Sequence, residues 1–246
     1  MSALLTAIAA QKRRFDPDAA DYFSRITLAG SSITDANKSA VNAFIVGCKT
    51  DGIWGAIKAS CLLAGPNSLA GALVPLVGTA PTNLNFVAGD YSRTVGLTTD
   101  ATGKYIATNY SYAVGMQDNA HMAIWSETVM NSGIMGNQRG ATGSSTLFVS
   151  GQNRAQNSGL FTGVAPLPGF YGHSRETPGS IKYRANNTDY IFSQSSQTPN
   201  TDGLNLFRFA LDTFSSSGSA SFYSIGESLD LALLDARLTT YMATLS

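Results

Sequence analysis

The side chains able to do chemistry in this chain are few, and Ser228 is the first to weigh. It sits in Gly226-Glu227-Ser228-Leu229-Asp230, where the alternating run SASFYSIG gives way to the helical pattern LDLALLDARLTTYM. A serine at a strand-to-helix turn is where an α/β-hydrolase holds its nucleophile. That elbow needs glycine two residues after the serine, because a side chain there clashes in the tight turn. This chain has Asp230 at that position, and a general base would have to be His121 or His173, its two histidines. A simpler role fits: the Ser228 hydroxyl accepts a free N–H of the first helical turn, and Asp230 adds a favourable charge at the positive end of the dipole. Ser228 is expected to be a helix cap, and no catalytic residue is assigned.

Other chemistries find less support. Glycoside hydrolysis needs two carboxyl groups within roughly 5–10 Å of each other. The chain has three glutamates, Glu127, Glu176 and Glu227, far apart in sequence, so only a pairing of Glu127 with a distant aspartate could serve. Neither histidine belongs to an HxH, HxxxH or CxxC cluster, so no metal site is expected. A calcium loop at TTDATGKY, with Asp100, Thr102 and Gly103, lacks the acidic density of an EF-hand and reads as a hairpin turn. No phosphate-cradling glycine motif occurs, and no cofactor is expected. Cys48 and Cys61 fall in apolar surroundings and read as small buried hydrophobes. Tyr105, Tyr110, Tyr112, Trp125, Phe170, Tyr171, Tyr183 and Tyr190 read mainly as core or subunit-contact residues. If any of them stack on a glycan ring, Trp125, Phe170 and Tyr171 are the candidates.

The elements that would position these groups follow from periodicity. Over SSITDANKSAVNAFIVGCKTDGIW, Thr34 is an N-cap, Asp35 favours the dipole, and Val41, Phe44, Ile45 and Cys48 follow helical spacing up to the stop at Asp51-Gly52. Residues 2–10 form a short helix with Leu4, Leu5 and Ile8 on one side, and Asp16-Pro17-Asp18 breaks it before a second stretch over 18–26. From about residue 56 the runs AIKASCLLA, LVPLV, NLNFVA, KYIATN, HMAIWSET, TLFVS, SIKYRA, DYIFS, LFRFAL and SASFYSIG alternate with turn-rich pieces. Short strands at this spacing with no intervening helices predict a mainly β fold: an antiparallel β-sandwich or jelly roll with an N-terminal helical segment. It closes on a short C-terminal helix carrying a stripe of Leu231, Leu234, Leu238 and Tyr241. The division drawn is an N-terminal arm at 1–30, a helical segment at 31–62 and a sandwich at 63–246.

Composition bounds the partners. Hydrophobic residues make up 43% of the 246, enough for a core, while charged residues are 13%, about half the usual share. Lys and Arg total 16 and Asp and Glu 16, so no excess of positive charge invites nucleic acid. In MSALLTAIAAQKRRF the apolar run precedes Lys12-Arg13-Arg14, the reverse of a signal peptide, and no apolar run is long enough to span a bilayer. No membrane role is expected. Leu4, Leu5, Ile8 and Phe15 instead form an apolar subunit-contact arm that Asp16-Pro17-Asp18 lets leave the body.

Three stretches also carry a family resemblance: AVNAFIVGCKTDGIWGAIKASCLLAG, TNLNFVAGDYSRTVGLTTDATGKYIATN and the closing FYSIGESLDLALLDARL. Together they resemble virion proteins of tailed phages and prophages that carry a concanavalin A-like (LamG-like) jelly roll. The resemblance runs from about residue 33 to the end. It implies a non-enzymatic structural protein, a capsid decoration or cement protein or another particle-surface component, assembled in the host bacterial cytoplasm and carried in the virion. The implied partners are major capsid or tail proteins and further copies of itself, as in a symmetric trimer. A tail or baseplate adhesin for host-surface glycan is the alternative, and a glycoside hydrolase the third reading.

Overall fold

The computed structural model describes residues 15–100, 103–128, 133–137, 146–148, 152–153, 155, 161–162, 167–185, 187–208 and 217–245. Four α-helices occur among them: α1 (Pro17–Leu28), α2 (Asp35–Thr50), the single turn α3 (Leu69–Ala72) and α4 (Leu231–Met242). The strands are β1 (Ile57–Leu62), β2 (Thr82–Leu84), β3 (Tyr91–Ser92), β4 (Gly96–Asp100), β5 (Tyr105–Ala107), β6 (Ala120–Ser126), β7 (Gly133–Gly136) and β8 (Thr146–Phe148). They continue with β9 (Gln152–Asn153), β10 (Phe161–Thr162), β11 (Gly169–Thr177), β12 (Ser180–Ala185), β13 (Thr188–Ser193), β14 (Asn205–Leu206), β15 (Ser217–Ala220) and β16 (Phe222–Gly226).

All strand pairings are antiparallel. A six-stranded sheet runs β1-β16-β6-β11-β12-β13, and facing it are a five-stranded sheet, β2-β5-β14-β7-β8, and a three-stranded one, β15-β4-β3. Alternation along the strands sends side chains to two separate cores, as the period of two requires. Cys61, Met122, Ile124, Tyr171, Tyr183 and Ile225 point into the sandwich and meet Leu97, Ile106, Leu147 and Leu206 from the opposing sheets. Their neighbours Ile57, Leu62, Ala123, Phe170 and Phe222 point the other way and are covered by helices. The chain is mainly β, an antiparallel sandwich with helices laid on one outer face.

The helical layer is built from capped amphipathic segments. Thr34 caps α2, its hydroxyl accepting from Asn37 N–H at 3.2 Å, and Val41, Phe44, Ile45 and Cys48 are buried against the sheet. Phe44 lies edge-on to Phe222 of β16 at 5.9 Å and tilted to Tyr241 of α4 at 6.2 Å. Side chains of this size each contribute about 1.5–3 kcal/mol on burial.

The N-terminal expectation needs correction. Asp16-Pro17-Asp18 starts α1, the second helical stretch read over 18–26, and the residues from 15 on belong to the packed body. Asp16 accepts from Asp18 N–H as the N-cap and Pro17 takes the first helical position, where its missing N–H is harmless. Lys49 of α2 clamps Asp16 and Asp18 at 2.6 and 2.7 Å, and Trp54 Nε1 donates to Asp18 at 3.0 Å. Phe15 is half-buried and stacks edge-on to Phe23 at 5.0 Å, so it belongs to the helical core. Leu4, Leu5 and Ile8 lie outside the described residues. The boundary drawn at 30 cuts between two helices of one packed layer, and the segment drawn as helical to 62 ends in β1.

Two strand assignments also differ. LVPLV is not a strand: Ser68 caps α3, and only Leu76 and Val77 reach back to bond Ser60 of β1. The reverse error concerns GFYGHSRET, which carries no alternation yet forms β11, between β6 and β12 in the large sheet. It is covered on both faces for most of its length, and Gly172 is there because α4 presses on it. A Cβ at 172 would stand 3.0 Å from Ala123 Cβ and 3.1 Å from Leu231 Cδ2.

Candidate functional site

The residues weighed for catalysis converge on the turn between β16 and α4, but in a different pairing from the one their sequence suggests. His121, on β6, is fully buried and faces the helical layer. Its Nδ1 lies 2.5 Å from the Glu227 carbonyl and its Nε2 lies 2.7 Å from Ser224 Oγ. A carbonyl only accepts, so Nδ1 carries the proton and Nε2 accepts from the Ser224 hydroxyl. That is the arrangement of a base-activated serine, with a third group orienting the base. Ser224, however, is also fully buried, so no substrate reaches its oxygen. Burial lowers the His121 pKa to about 4, against the opposing effect of the Glu227 carbonyl, and keeps the ring neutral.

Ser228 is not the helix cap, which corrects the sequence expectation. Helix α4 starts at Leu231, and the cap is Asp230, whose carboxylate accepts from Ala232 N–H at 2.8 Å. Ser228 stands two residues before that cap. Its O–H and its N–H both donate instead to Asn119 Oδ1, at 2.7 and 2.8 Å. Leu229 N–H donates to Ser174 Oγ of β11 at 3.1 Å, and Glu227 N–H to the Ala56 carbonyl at 2.9 Å. Glu227 also pairs with Lys58 at 3.1 Å. Gly226 is required by the same packing: a Cβ there would sit 2.0 Å from the Ala56 carbonyl oxygen. Each residue of the Gly-Glu-Ser-Leu-Asp motif thus helps to anchor α4 to the sheet.

On the opposite face of the same sheet stand His173 and Arg175. Arg175 is fully buried, and Nη1 donates to the carbonyls of Thr177, Pro178 and Gln194 at 3.1, 3.1 and 2.9 Å. Nη2 points to the Ala155 carbonyl at 3.4 Å. Burial disfavours the guanidinium charge and the Asp118 carboxylate favours it. His173 is held neutral, its pKa lowered to about 3, first by burial and then by the charge of Arg175. Nothing in the sequence pattern pointed to Arg175, Asn119, Ser174 or Ser224. The available signal was polar residues at inward-facing parity, which only the register discloses.

The remaining candidates are dispersed. Phe170 and Tyr171 are 2% and 0% exposed, one in each core, so neither can stack on a glycan. Trp125 is half-buried and its Nε1 donates to Glu127 Oε1 at 2.6 Å. In the calcium-loop candidate, Lys104 places its ammonium 2.7 Å from Asp90. Among the described residues no group of three His, Cys, Asp or Glu side chains gathers. Cys48 and Cys61 are free and buried, and burial raises both thiols to about 12, which suppresses the nucleophilic thiolate.

No family model and no curated protein matches the chain. Among solved structures it is similar to domain 4 of AbnA, a GH43 extracellular arabinanase from Geobacillus stearothermophilus in complex with arabinotriose. That likeness has 13% identity and a TM-score of 0.37, covering 65% of this chain and 82% of that one. A mutant Trypanosoma rangeli sialidase displaying trans-sialidase activity is similar at 10% identity and a TM-score of 0.32, covering 83% of this chain and 38% of that one. Likenesses this distant carry no functional argument.

Proposed function

We propose that this chain is a non-enzymatic structural protein of a tailed-phage particle, a capsid decoration or cement protein that works through contacts with capsid or tail proteins and with copies of itself. The observation that carries the reading is the fate of the closing motif. The residues of Phe-Tyr-Ser-Ile-Gly-Glu-Ser-Leu that could do chemistry, with the histidine they meet, are engaged in fixing α4 to the sheet. The closing stretch, one of the three behind the family resemblance, is thereby a motif of scaffold closure. The adhesin alternative loses Phe170 and Tyr171 to the two cores.

The test is quantitative mass spectrometry on particles purified from the strain that encodes the protein. A structural component gives peptides of this chain in fixed ratio to the major capsid protein across preparations. Absence from purified particles would refute the reading. Deleting residues 1–14 adds a second arm: the truncated chain is expected to fold and to be lost from the particle. Incorporation at normal occupancy would remove the apolar N-terminal segment as the attachment device.

A further inference from the structure

Strand β13, TDYIFS, is one edge of the six-stranded sheet, and its pairing with β12 runs unbroken from Thr188 to Ser193. Gln194 N–H continues that ladder, donating to the Gly179 carbonyl at 3.1 Å. Antiparallel bonding alternates along a strand, so the parity of Gln194 fixes the rest. Residues 188, 190 and 192 bond to β12, while Asp189, Ile191 and Ser193 turn their N–H and C=O groups outward. No described strand lies beyond them. Their side chains share one face of the sheet and are exposed, Ile191 by 74%, and no other strand among the described residues exposes a large apolar side chain so. The devices that commonly blunt an edge are missing, since β13 has no lysine, proline or bulge. The opposite edge, β1, is closed by the chain itself. Ser60 N–H donates to the Val77 carbonyl at 3.0 Å, the Ser60 carbonyl accepts from Leu76 N–H at 2.8 Å, and a Cβ at Gly78 would stand 2.4 Å from the Lys58 carbonyl oxygen.

We propose that two copies of this chain join edge to edge along β13, antiparallel about a twofold axis at Ile191, so that the two six-stranded sheets run on as one. Outward N–H and C=O groups on alternate residues can be met in full only by another extended strand. The strand that fits is β13 itself, because a twofold contact must be its own complement. Centred on Ile191, every outward residue meets an outward residue: Ile191 faces its own copy, and Asp189 faces Ser193. That gives up to about six hydrogen bonds between the strands. It also sets the two Ile191 side chains next to each other, about 5.5 Å apart at Cα, where each covers the other. Asp189, the one charged residue of β13, is met by Arg184 of its own chain at 2.8 Å and asks nothing of the second copy. This register keeps the two Asp189 carboxylates apart, whereas a register centred on Asp189 would oppose them. A head-to-tail contact of β13 with β1 is shut by Val77 and Gly78, which leaves the closed pair.

Sedimentation velocity of the full chain over rising concentration tests the inference. The wild type is expected to pass from monomer to dimer by about 100 µM, a weak range suited to so small a contact. Ile191→Lys and Ile191→Glu should each raise the dissociation constant at least about tenfold, because each sets a charge against its own copy. Mixed in equal amounts, the two variants should dimerise again, since opposite charges then face each other. Val87→Lys, at a side chain 60% exposed outside the sheets, should change nothing. Hydrogen exchange on the wild type reads the register directly. The amides of Asp189, Ile191 and Ser193 should slow at high concentration, while those of residues 190 and 192 are protected throughout. A wild type still monomeric at about 100 µM would overturn the inference, as would a mixture of the two charge variants that stays monomeric. So would a dimer whose amides at 189, 191 and 193 exchange as fast as in the monomer, or a trimer or open series, which no twofold pair gives. A dimer that forms only after residues 1–14 are deleted would make the N-terminal segment the occupant of the edge and overturn it too. None of these outcomes bears on particle membership, which the mass-spectrometric ratio reads separately.

Discussion

The two faces of the six-stranded sheet are both buried, yet they treat polar groups differently. On the helix side, His121, Ser174 and Ser224 are neutral groups that bond one another or the turn at 226–230. On the sandwich side, Arg175 brings a full positive charge into the interior, where backbone carbonyls accept its hydrogen bonds and the Asp118 carboxylate favours its charge. The first face uses polar groups to attach a covering helix. The second uses one cation to draw together the carbonyls of residues 155, 177, 178 and 194. A buried histidine or arginine is commonly taken as a sign of a catalytic centre. In this molecule such groups hold chain segments in register.

Acid should break both faces at once and gives the largest effect. Both histidines have folded pKa values, about 4 and about 3, below the ordinary 6.5. Between those limits the unfolded chain binds more protons than the folded one, so stability falls as pH drops from about 6.5 towards 4 and is level above. Denaturant midpoints measured from pH 4 to 8 check the sign. Imidazole NMR shifts sharpen the comparison: both rings should stay neutral from pH 7 to 5, with His173 protonating after His121. A midpoint near 6.5 for either ring would place it in water.

Next comes Arg175→Met, which deprives four carbonyls of their donor and should cost about 3–5 kcal/mol. A loss below about 1 kcal/mol would mean that water serves those carbonyls and that the sandwich face is open. Ser224→Ala, on the helix side, leaves His121 Nε2 without its donor and should cost about 1–3 kcal/mol. If Ser224→Ala were the more damaging of the two, the contrast between the faces would fail. The smallest effects separate two neighbouring residues of one motif. Asp230→Ala should cost about 1 kcal/mol as the loss of a helix cap. Ser228→Ala, which gives up an exposed bond to Asn119 while its N–H keeps the same acceptor, should cost about 0.5 kcal/mol. The reverse order in urea titrations would return the cap to Ser228.

The sequence by itself determined what depends on a few neighbouring residues. Helix α2 was legible from Thr34 and the spacing of Val41, Phe44, Ile45 and Cys48, and α4 from Leu231, Leu234, Leu238 and Tyr241, because capping and helical period act over one or two turns. The antiparallel sandwich was legible from short alternating or apolar runs parted by turn residues, such as SIKYRA, whose strand β12 alternates between buried and half-buried positions. Tertiary structure alone decided the rest. Strand β11 is buried on both faces along most of its length, so its glycines and polar residues answer to Leu231, Ala123 and the carbonyls of residues 155 and 194 and not to any period. Asp16-Pro17-Asp18 reads as a break until Lys49 and Trp54 arrive to hold it as a helix start. His121 and Ser224 are separated by 103 positions, and Asn119 and Ser228 by 109. Which serine met the histidine was set by strand register, since β16 places Ser224 two residues from Gly226, the partner of His121, and so on the same face, and carries Ser228 past the end of the sheet.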